Sequence, residues 1–355
     1  MKKLLLALLA IVVVAGLIFT GCSEKTSTTS TSAPTATSSA APAKTYLLRW
    51  AQFATAVLED SQPVIVMADN INKRTNGQCK VELFWSDSLV PMFESMDAVR
   101  TGSAEMATFP FGPFGGVDAR FASSEMPLYY NTIEAQVEAQ AALMPAYSGV
   151  FEEKFNQKAL TVRSIIPLNP GNSKRPIKTL DDWKGLLIQT ISPAMSQFIE
   201  KLGAVGAPAS PIDVYELLQK GTVDATVQSL GKYYEAKLWE VCKYLTNCEF
   251  ISASAVTTIN TDTWNKLPKD VQDIILDEAK IAEAEVNRLT LKIYYTYLDE
   301  LNKNMEVYNL PAAERAKWQA ALQPVVDEMY SKMGTFADQV KSTAEAANKK
   351  YPYPY

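Results

Sequence analysis

The side chains that most enzymes need for acid, base or nucleophilic chemistry are scarce in this sequence. It contains no histidine, which excludes Ser/His/Asp and Cys/His catalysis, histidine metal ligands and the H-E-x-x-H pattern. No pair of carboxylates stands out as the acid and base of a hydrolase. The sequence therefore favours noncovalent binding over a carboxylate-based enzyme, and we predict no enzymatic activity, cofactor or metal.

Three cysteines lie in the body of the chain, at Cys79, Cys242 and Cys248. Cys242 and Cys248 could form a disulfide in an oxidising compartment, or all three could be buried free thiols. The sequence leaves both alternatives open.

Charge and length limit the partners and the size of the fold. The chain carries 34 Lys and Arg against 39 Asp and Glu, a net charge of -5. No basic stripe is present to neutralise phosphates, so nucleic acid is not a predicted partner. The roughly 310 residues after residue 44 are enough for two lobes with separate cores.

The N-terminus has the composition of a targeting segment. Residues 1–21 combine a basic start with an apolar run, and Phe19-Thr-Gly-Cys22 resembles a lipobox, although leucine is usual where Phe19 stands. We predict lipid attachment at Cys22, with an uncleaved anchor helix as the alternative. Residues 22–44 are nearly all Ser, Thr, Ala and Pro and predict a disordered tether. The protein is thus expected in the periplasm or at the outer face of the cell membrane.

Strand and helix patterns alternate after this segment. Period-two alternation predicts strands at residues 46–53 and 79–85, with a short buried strand at 105–109. Apolar residues at helical spacing predict helices at 61–75 and 92–101. This β-α-β-α-β order is typical of a mainly parallel sheet with helices on its faces.

The same order returns in the second half, followed by long helices. Ser192 and Pro193 predict the start of a helix after a strand at 186–190. Residues 269–304 predict one helix that would span roughly 50 Å, long enough to run along both lobes. Further helix is expected to residue 334, and residues 341–355 are predicted to be a frayed, flexible tail.

Several segments, in order, resemble the solute-binding proteins of TRAP (tripartite ATP-independent periplasmic) transporters, the DctP-type family. Residues 176–189 are P-I-K-T-L-D-D-W-K-G-L-L-I-Q, where the family usually has K-P-I…D-L-K-G-L-K-I-R. Residues 214–224 are V-Y-E-L-L-Q-K-G-T-V-D, similar to the family's V-Y-x-A-L-Q-x-G-x-V-D. Matches also occur at 239–245 and 264–268, so the resemblance covers nearly the whole chain after the tether.

This resemblance implies a two-lobed α/β fold like that of periplasmic binding proteins, with a central ligand cleft. Lobe I would comprise residues 45–166 and 255–294, and lobe II residues 167–254 and 295–340. The lobes would close on a small-molecule ligand, and the monomer would deliver it to the membrane subunits of a TRAP transporter. A sensor or scaffold protein built on the same fold is the alternative.

The resemblance also assigns candidate ligand contacts. The arginine that clamps the ligand carboxylate in this family is replaced by Gln189, and a second arginine of some members corresponds to Asn169. The amide that follows the V-D-G turn corresponds to Gln228. Burying a carboxylate without a cation costs roughly several kcal/mol. Because amides occupy all three positions, we predict a ligand that is not a simple monocarboxylate.

Other side chains complete the predicted site. Aromatic residues of the first lobe would form an apolar wall, namely Phe53, Trp85, Phe109 and Phe111. An organic acid is the alternative ligand if another cation replaces the missing arginine, the candidates being Arg163, Lys174 and Arg175.

Overall fold

The computed structural model describes residues 44–355, where strands and helices alternate as the sequence patterns predict. The strands are β1 (Tyr46–Gln52), β2 (Cys79–Phe84), β3 (Met106–Pro110), β4 (Gln157–Asn172), β5 (Leu187–Thr190), β6 (Val205–Pro208), β7 (Ala225–Ser229), β8 (Tyr244–Asn247), β9 (Ile251–Asn260) and β10 (Glu306–Asn309). The α-helices are α1 (Gln62–Arg74), α2 (Ser95–Thr101), α3 (Ile133–Lys154), α4 (Pro193–Lys201), α5 (Val214–Gln219), α6 (Leu230–Glu235), α7 (Thr261–Lys266), α8 (Lys269–Asn304), α9 (Ala312–Met333) and α10 (Phe336–Lys350).

All ten strands belong to one sheet, ordered β2-β1-β3-β9-β4-β7-β5-β6, with β8 beside β4 and β10 beside β8. Within each lobe the neighbours β1/β2, β1/β3, β5/β6 and β5/β7 are parallel. The predicted parallel arrangement is therefore confirmed inside the lobes. The two strands that cross between the lobes, β4 and β9, pair antiparallel with each other, with β3 and with β7.

The long helix α8 runs along both lobes, as its 36-residue pattern predicts. Val271 and Ile275 pack with Trp50 in the core of lobe I. Leu298 and Leu301 pack in the core of lobe II, starting about six helical turns after Ile275. One continuous helix therefore backs both halves of the sheet.

The C-terminal segment corrects two predictions. Residues 341–350 of the predicted frayed tail belong to α10, whose Ala344 and Ala347 pack against Tyr130. The start of the same helix, at Phe336 and Val340, joins the core of lobe I and not that of lobe II. A stripe of small alanines among polar residues gives a weak apolar signal in the sequence, although it permits close helix packing.

The predicted N-terminal signal, the lipid site at Cys22 and the tether up to residue 43 lie outside the described residues. Within residues 44–355, no helix has both the length and the apolar character needed to cross a membrane. Cys79, Cys242 and Cys248 are buried free thiols, so the disulfide alternative is not the one observed.

Candidate ligand-binding cleft

A cleft of about 460 Å³ lies where the two lobes meet the crossing strands. Its walls come from the loops after β1 and β3, from β4 and β9, and from β7 and α6. Most of the surface is apolar, with a few polar side chains converging on it, an arrangement typical of small-molecule sites. The polar residues that matter here are Asp60, Glu125, Arg163, Gln228 and Ser254.

Arg163 is the buried cation of this cleft. It lies on β4 with only 7% of its surface exposed. Its Nη1 donates to Asp60 Oδ2 over 3.1 Å, and its guanidinium carbon lies 5.5 Å from the centre of the Phe53 ring. Its buried Nε has no hydrogen-bond partner among the described residues. Arg163 is thus fixed on one side by Asp60 while a donor on its other edge stays unused.

Glu125 is a second polar side chain with unused hydrogen-bonding capacity. It follows a short 3₁₀ turn (Ala119–Ser124) and is 6% exposed. Its Oε1 accepts a 2.8 Å hydrogen bond from Ser192 Oγ, whereas its buried Oε2 has no partner in residues 44–355. Burial raises the pKa of Glu125 to about 7, and the bond from Ser192 opposes that rise.

Gly112 permits Glu125 to lie this close to the loop after β3. A Cβ at Gly112 would lie 2.8 Å from Glu125 Cβ and 2.9 Å from Ser124 Oγ. Real Cβ atoms do not approach so closely, so a larger residue at Gly112 would push Glu125 out of its place. Ser192, the predicted N-cap of α4, caps that helix by accepting from the Met195 N–H, which confirms the predicted helix start.

Gln189 lies behind the cleft wall and does not line it. Its side chain is fully buried between β6 and β7, where Oε1 accepts hydrogen bonds from Thr226 Oγ1 (2.7 Å) and Gln228 Nε2 (2.9 Å). Its Nε2 donates to the Ala209 carbonyl over 2.7 Å. Gln228 does line the cleft. The structure thus brings the two predicted amides together, with Gln189 holding Gln228 in place.

Asn169 is also fully buried and lies outside the cleft lining. Its Oδ1 accepts from the Cys248 N–H over 2.9 Å, and its Nδ2 donates weakly to the Pro167 carbonyl over 3.4 Å. These contacts fix the chain just before β9. This placement contradicts direct ligand contact by Asn169, because its amide already has backbone partners.

Only one of the four predicted aromatic residues is at the cleft. Trp85 is outside the lining and packs, half-buried, against the core of lobe I. Phe53 lines the cleft, whereas Phe109 and Phe111 are fully buried in the core of lobe I. Alternate residues point to opposite sides of an extended chain, so Pro110 and Gly112 face the cleft instead. The prediction that Phe109 and Phe111 form its wall is therefore wrong.

Arg163 also differs from the other two predicted cations. Lys174 pairs with Asp224 (3.4 Å), and Arg175 donates to the carbonyls of Asp182 and Lys184. Neither of them lines the cleft. Arg163 is the one charged residue in the apolar stretch 159–172. This sequence signal favours Arg163 over Lys174 and Arg175 as the cation of the cleft.

Sequence reasoning missed Glu125 and Ser254. Ser254 lies on β9, is 1% exposed, and its Oγ has no partner among the described residues. Glu125 lies in a loop between short turns without a periodic pattern, and only the folded chain brings it beside β9. Within residues 44–355, no group of three or more acidic or thiol side chains could hold a metal ion.

Comparison with known proteins identifies the family of this chain. A family model described as "DctP: Bacterial extracellular solute-binding protein, family 7" matches residues 61–333. The chain is 28% identical over 290 residues to the C4-dicarboxylate-binding periplasmic protein DctP of Rhodobacter capsulatus, covering 77% of this chain and 84% of that protein. It is 27% identical over 284 residues to a solute-binding protein of Verminephrobacter eiseniae, covering 78% and 82%.

A solved structure shows the same fold. DctP7 of Bordetella pertussis, an extracytoplasmic solute receptor binding pyroglutamic acid, superimposes with a TM-score of 0.78 at 18% identity, covering 84% of this chain and 99% of that one. The resemblance first seen in the sequence motifs is therefore confirmed. The family model spans most of the chain, and the chain belongs to family 7 of the bacterial extracellular solute-binding proteins.

Proposed function

We propose that this protein captures a small organic acid in the cleft outside the cytoplasm and delivers it to the membrane subunits of a TRAP transporter. The ligand is bound without chemical change. Lobe closure, hinged at the crossing strands, would enclose it. Lipid attachment at Cys22 would hold the monomer at the membrane surface.

The observation that carries the proposal is the unused Nε edge of Arg163. A buried donor without a partner costs free energy, so natural proteins rarely leave one unless a ligand or water completes it. The Nε edge of a guanidinium can receive a carboxylate through charge-assisted hydrogen bonds. Arg163 lines the cleft whereas Gln189 does not, so the ligand carboxylate would bind at Arg163 and not at the family's usual position.

The apolar walls and the ligands named for relatives support an acid with a compact carbon skeleton. One relative is named for C4-dicarboxylates, and one structural neighbour binds pyroglutamic acid. Asp60 already neutralises part of the Arg163 charge. We therefore propose that one carboxylate binds at Arg163; Lys232 on α6 is another cation in the cleft lining.

The test is a thermal-shift and calorimetry screen of the mature protein against organic acids, polyols, amides and aromatic compounds. Binding to the folded state raises the melting temperature. We expect acids to bind, and Arg163→Met to weaken them about a hundredfold through loss of a buried charge-assisted pair. Arg163→Lys, which keeps the charge but loses the planar edge, should bind with intermediate affinity.

Arg288→Met is the matched control, because Arg288 is exposed and pairs only with Glu285 on the same helix. It should leave acid affinities unchanged. If neutral compounds alone bound, or if Arg163→Met bound acids as tightly as the wild type, the proposed carboxylate site would be refuted. In that case the pocket would suit a neutral ligand, as the amides at Gln189 and Gln228 first indicated.

A further inference from the structure

The cleft contains a second group of buried polar atoms that the carboxylate site does not use. Glu125 Oε2 and Ser254 Oγ both lack partners among the described residues, and both residues line the cleft with at most 6% of their surface exposed. Two unsatisfied polar groups in one small apolar cleft are unusual in a folded protein. Their shared position indicates that something from the cleft completes them.

The local structure connects these two groups. The Ser254 carbonyl accepts from the Phe111 N–H over 3.4 Å, and the next residue, Gly112, lies directly against Glu125. Glu125 and Ser254 therefore both contact the loop after β3, Glu125 at Gly112 and Ser254 at Phe111. Because a Cβ at Gly112 would displace Glu125, this loop makes room for the carboxylate.

The hydrogen bond from Ser192 decides which oxygen of Glu125 is available. Ser192 Oγ accepts from the Met195 N–H, so its own proton goes to Glu125 Oε1. Oε1 is thus an acceptor that is already occupied. Oε2 is the free oxygen, and in the ionised carboxylate it can only accept.

We propose that Glu125, with Ser254 beside it, is a specificity-determining contact that accepts an N–H or O–H of the solute. The solute class is then an organic acid that carries its own hydrogen-bond donor, such as a hydroxyl, a ring N–H or an ammonium group. This inference rests on the proposed function, since Arg163 is taken to hold the carboxylate. An acid without a donor would leave the buried Oε2 unpaired and would bind more weakly.

The experiment compares matched pairs of acids by calorimetry at about pH 8, above the Glu125 pKa of about 7. The probes are proline with cyclopentanecarboxylate and mandelate with phenylacetate, together with each acid retained by the screen and its donor-free analogue. We expect the donor-bearing member of a pair to bind at least about tenfold more tightly to the wild type, because pairing a buried acceptor has this order of effect.

Glu125→Gln should remove this preference, because the amide keeps an acceptor for Ser192 but places a donor at the position of Oε2. Glu125→Met, which is apolar and of similar length, should likewise weaken the donor-bearing acids about tenfold and leave the donor-free acids unaffected. Glu285→Gln, at an exposed glutamate, is the control and should preserve the preference. Ser254→Ala should reduce the preference by a smaller factor.

The outcomes separate this inference from the proposed function. Acids that bind through Arg163 with no donor preference, or a preference that survives in Glu125→Gln and Glu125→Met, would overturn the role of Glu125 alone. A structural role would weaken both members of each pair equally, which also overturns it. If the wild type bound no acid at all, the proposed function would fail and this inference with it.

Discussion

Replacing Gln189 with leucine tests whether this residue supports the cleft or touches the ligand. The exchange keeps the approximate volume but removes the amide. Gln189 makes three short hydrogen bonds, to Thr226 Oγ1, Gln228 Nε2 and the Ala209 carbonyl, all between 2.7 and 2.9 Å. A fourth, to the Thr190 carbonyl, is weak at 3.5 Å. Its side chain is fully buried, so water cannot replace these bonds directly.

The magnitude follows from the groups that lose a partner. Thr226 is fully buried and Gln228 is 4% exposed, so each would be left with a buried unpaired donor at a cost of about 1–3 kcal/mol. The Ala209 carbonyl is nearer the surface and can take up water. We therefore expect a loss of about 3 kcal/mol in the free energy of unfolding, partly offset by the apolar leucine.

Urea denaturation measures this loss. With a slope of about 3 kcal/mol per molar urea for a chain of this size, the midpoint should fall by about 1 M. Gln323→Leu is the matched control, because Gln323 is exposed and donates one bond to Asp327. Its midpoint should stay within experimental error of the wild type.

Calorimetry with an acid from the screen completes the test. We expect Gln189→Leu to weaken binding only about three- to tenfold, because Gln228 loses its support but Arg163 is untouched. An unchanged urea midpoint together with a complete loss of binding would refute this reasoning. That result would mean that Gln189 contacts the ligand, as the family resemblance implies, and that its hydrogen bonds do not contribute to the free energy of unfolding.

Two further predictions concern stability. Burial raises the pKa of Glu249 to about 7 from an ordinary 4.5. Between these pH values the folded state binds more protons than the unfolded state. The free energy of unfolding should therefore fall as pH rises from about 5 to 7 and then level off. Glu249→Gln should flatten that decline in thermal melts by about 3 kcal/mol, and an unaltered pH profile would contradict it. Deleting residues 336–355 should lower the melting temperature by about 10 °C or more, since α10 buries Phe336, Val340, Ala344 and Ala347. If this segment were a flexible tail, its deletion would leave the melting temperature unchanged.

Much of the fold follows from local patterns in the sequence. The 36 residues of α8 were predicted to within a residue because helical spacing persists over ten turns without glycine or proline. The strands β1, β2 and β3 show the expected alternation or short apolar runs. The failure at α10 has an equally physical cause: alanine buries little apolar area, so its contacts with α3 are visible only when both helices are placed.

The site could be predicted less well, because ligand contact depends on which side of a strand faces the cleft. Phe109 and Phe111 share one face, and a shift of one residue would have brought both to the ligand. A motif also fixes a position in the chain but not the depth of its side chain. Gln189 occupies the family's arginine position, yet its side chain is buried and hydrogen-bonded to Gln228 and Thr226.

The amide at Gln189 and the cation at Arg163 are best understood as one arrangement. A guanidinium at Gln189 would be fully buried, with Gln228 Nε2 and Thr226 Oγ1 around it, and would need a ligand carboxylate to offset its desolvation. With an amide at this position, Gln189, Thr226 and Gln228 satisfy one another through hydrogen bonds within the protein. The charge is carried instead by Arg163 on β4, where Asp60 offsets part of its desolvation cost before any ligand arrives. If the ligand carboxylate binds at Arg163 as proposed, it lies closer to Phe53 and Asp60 of lobe I, and the family's usual substrate assignment does not transfer to this chain through the position of Gln189.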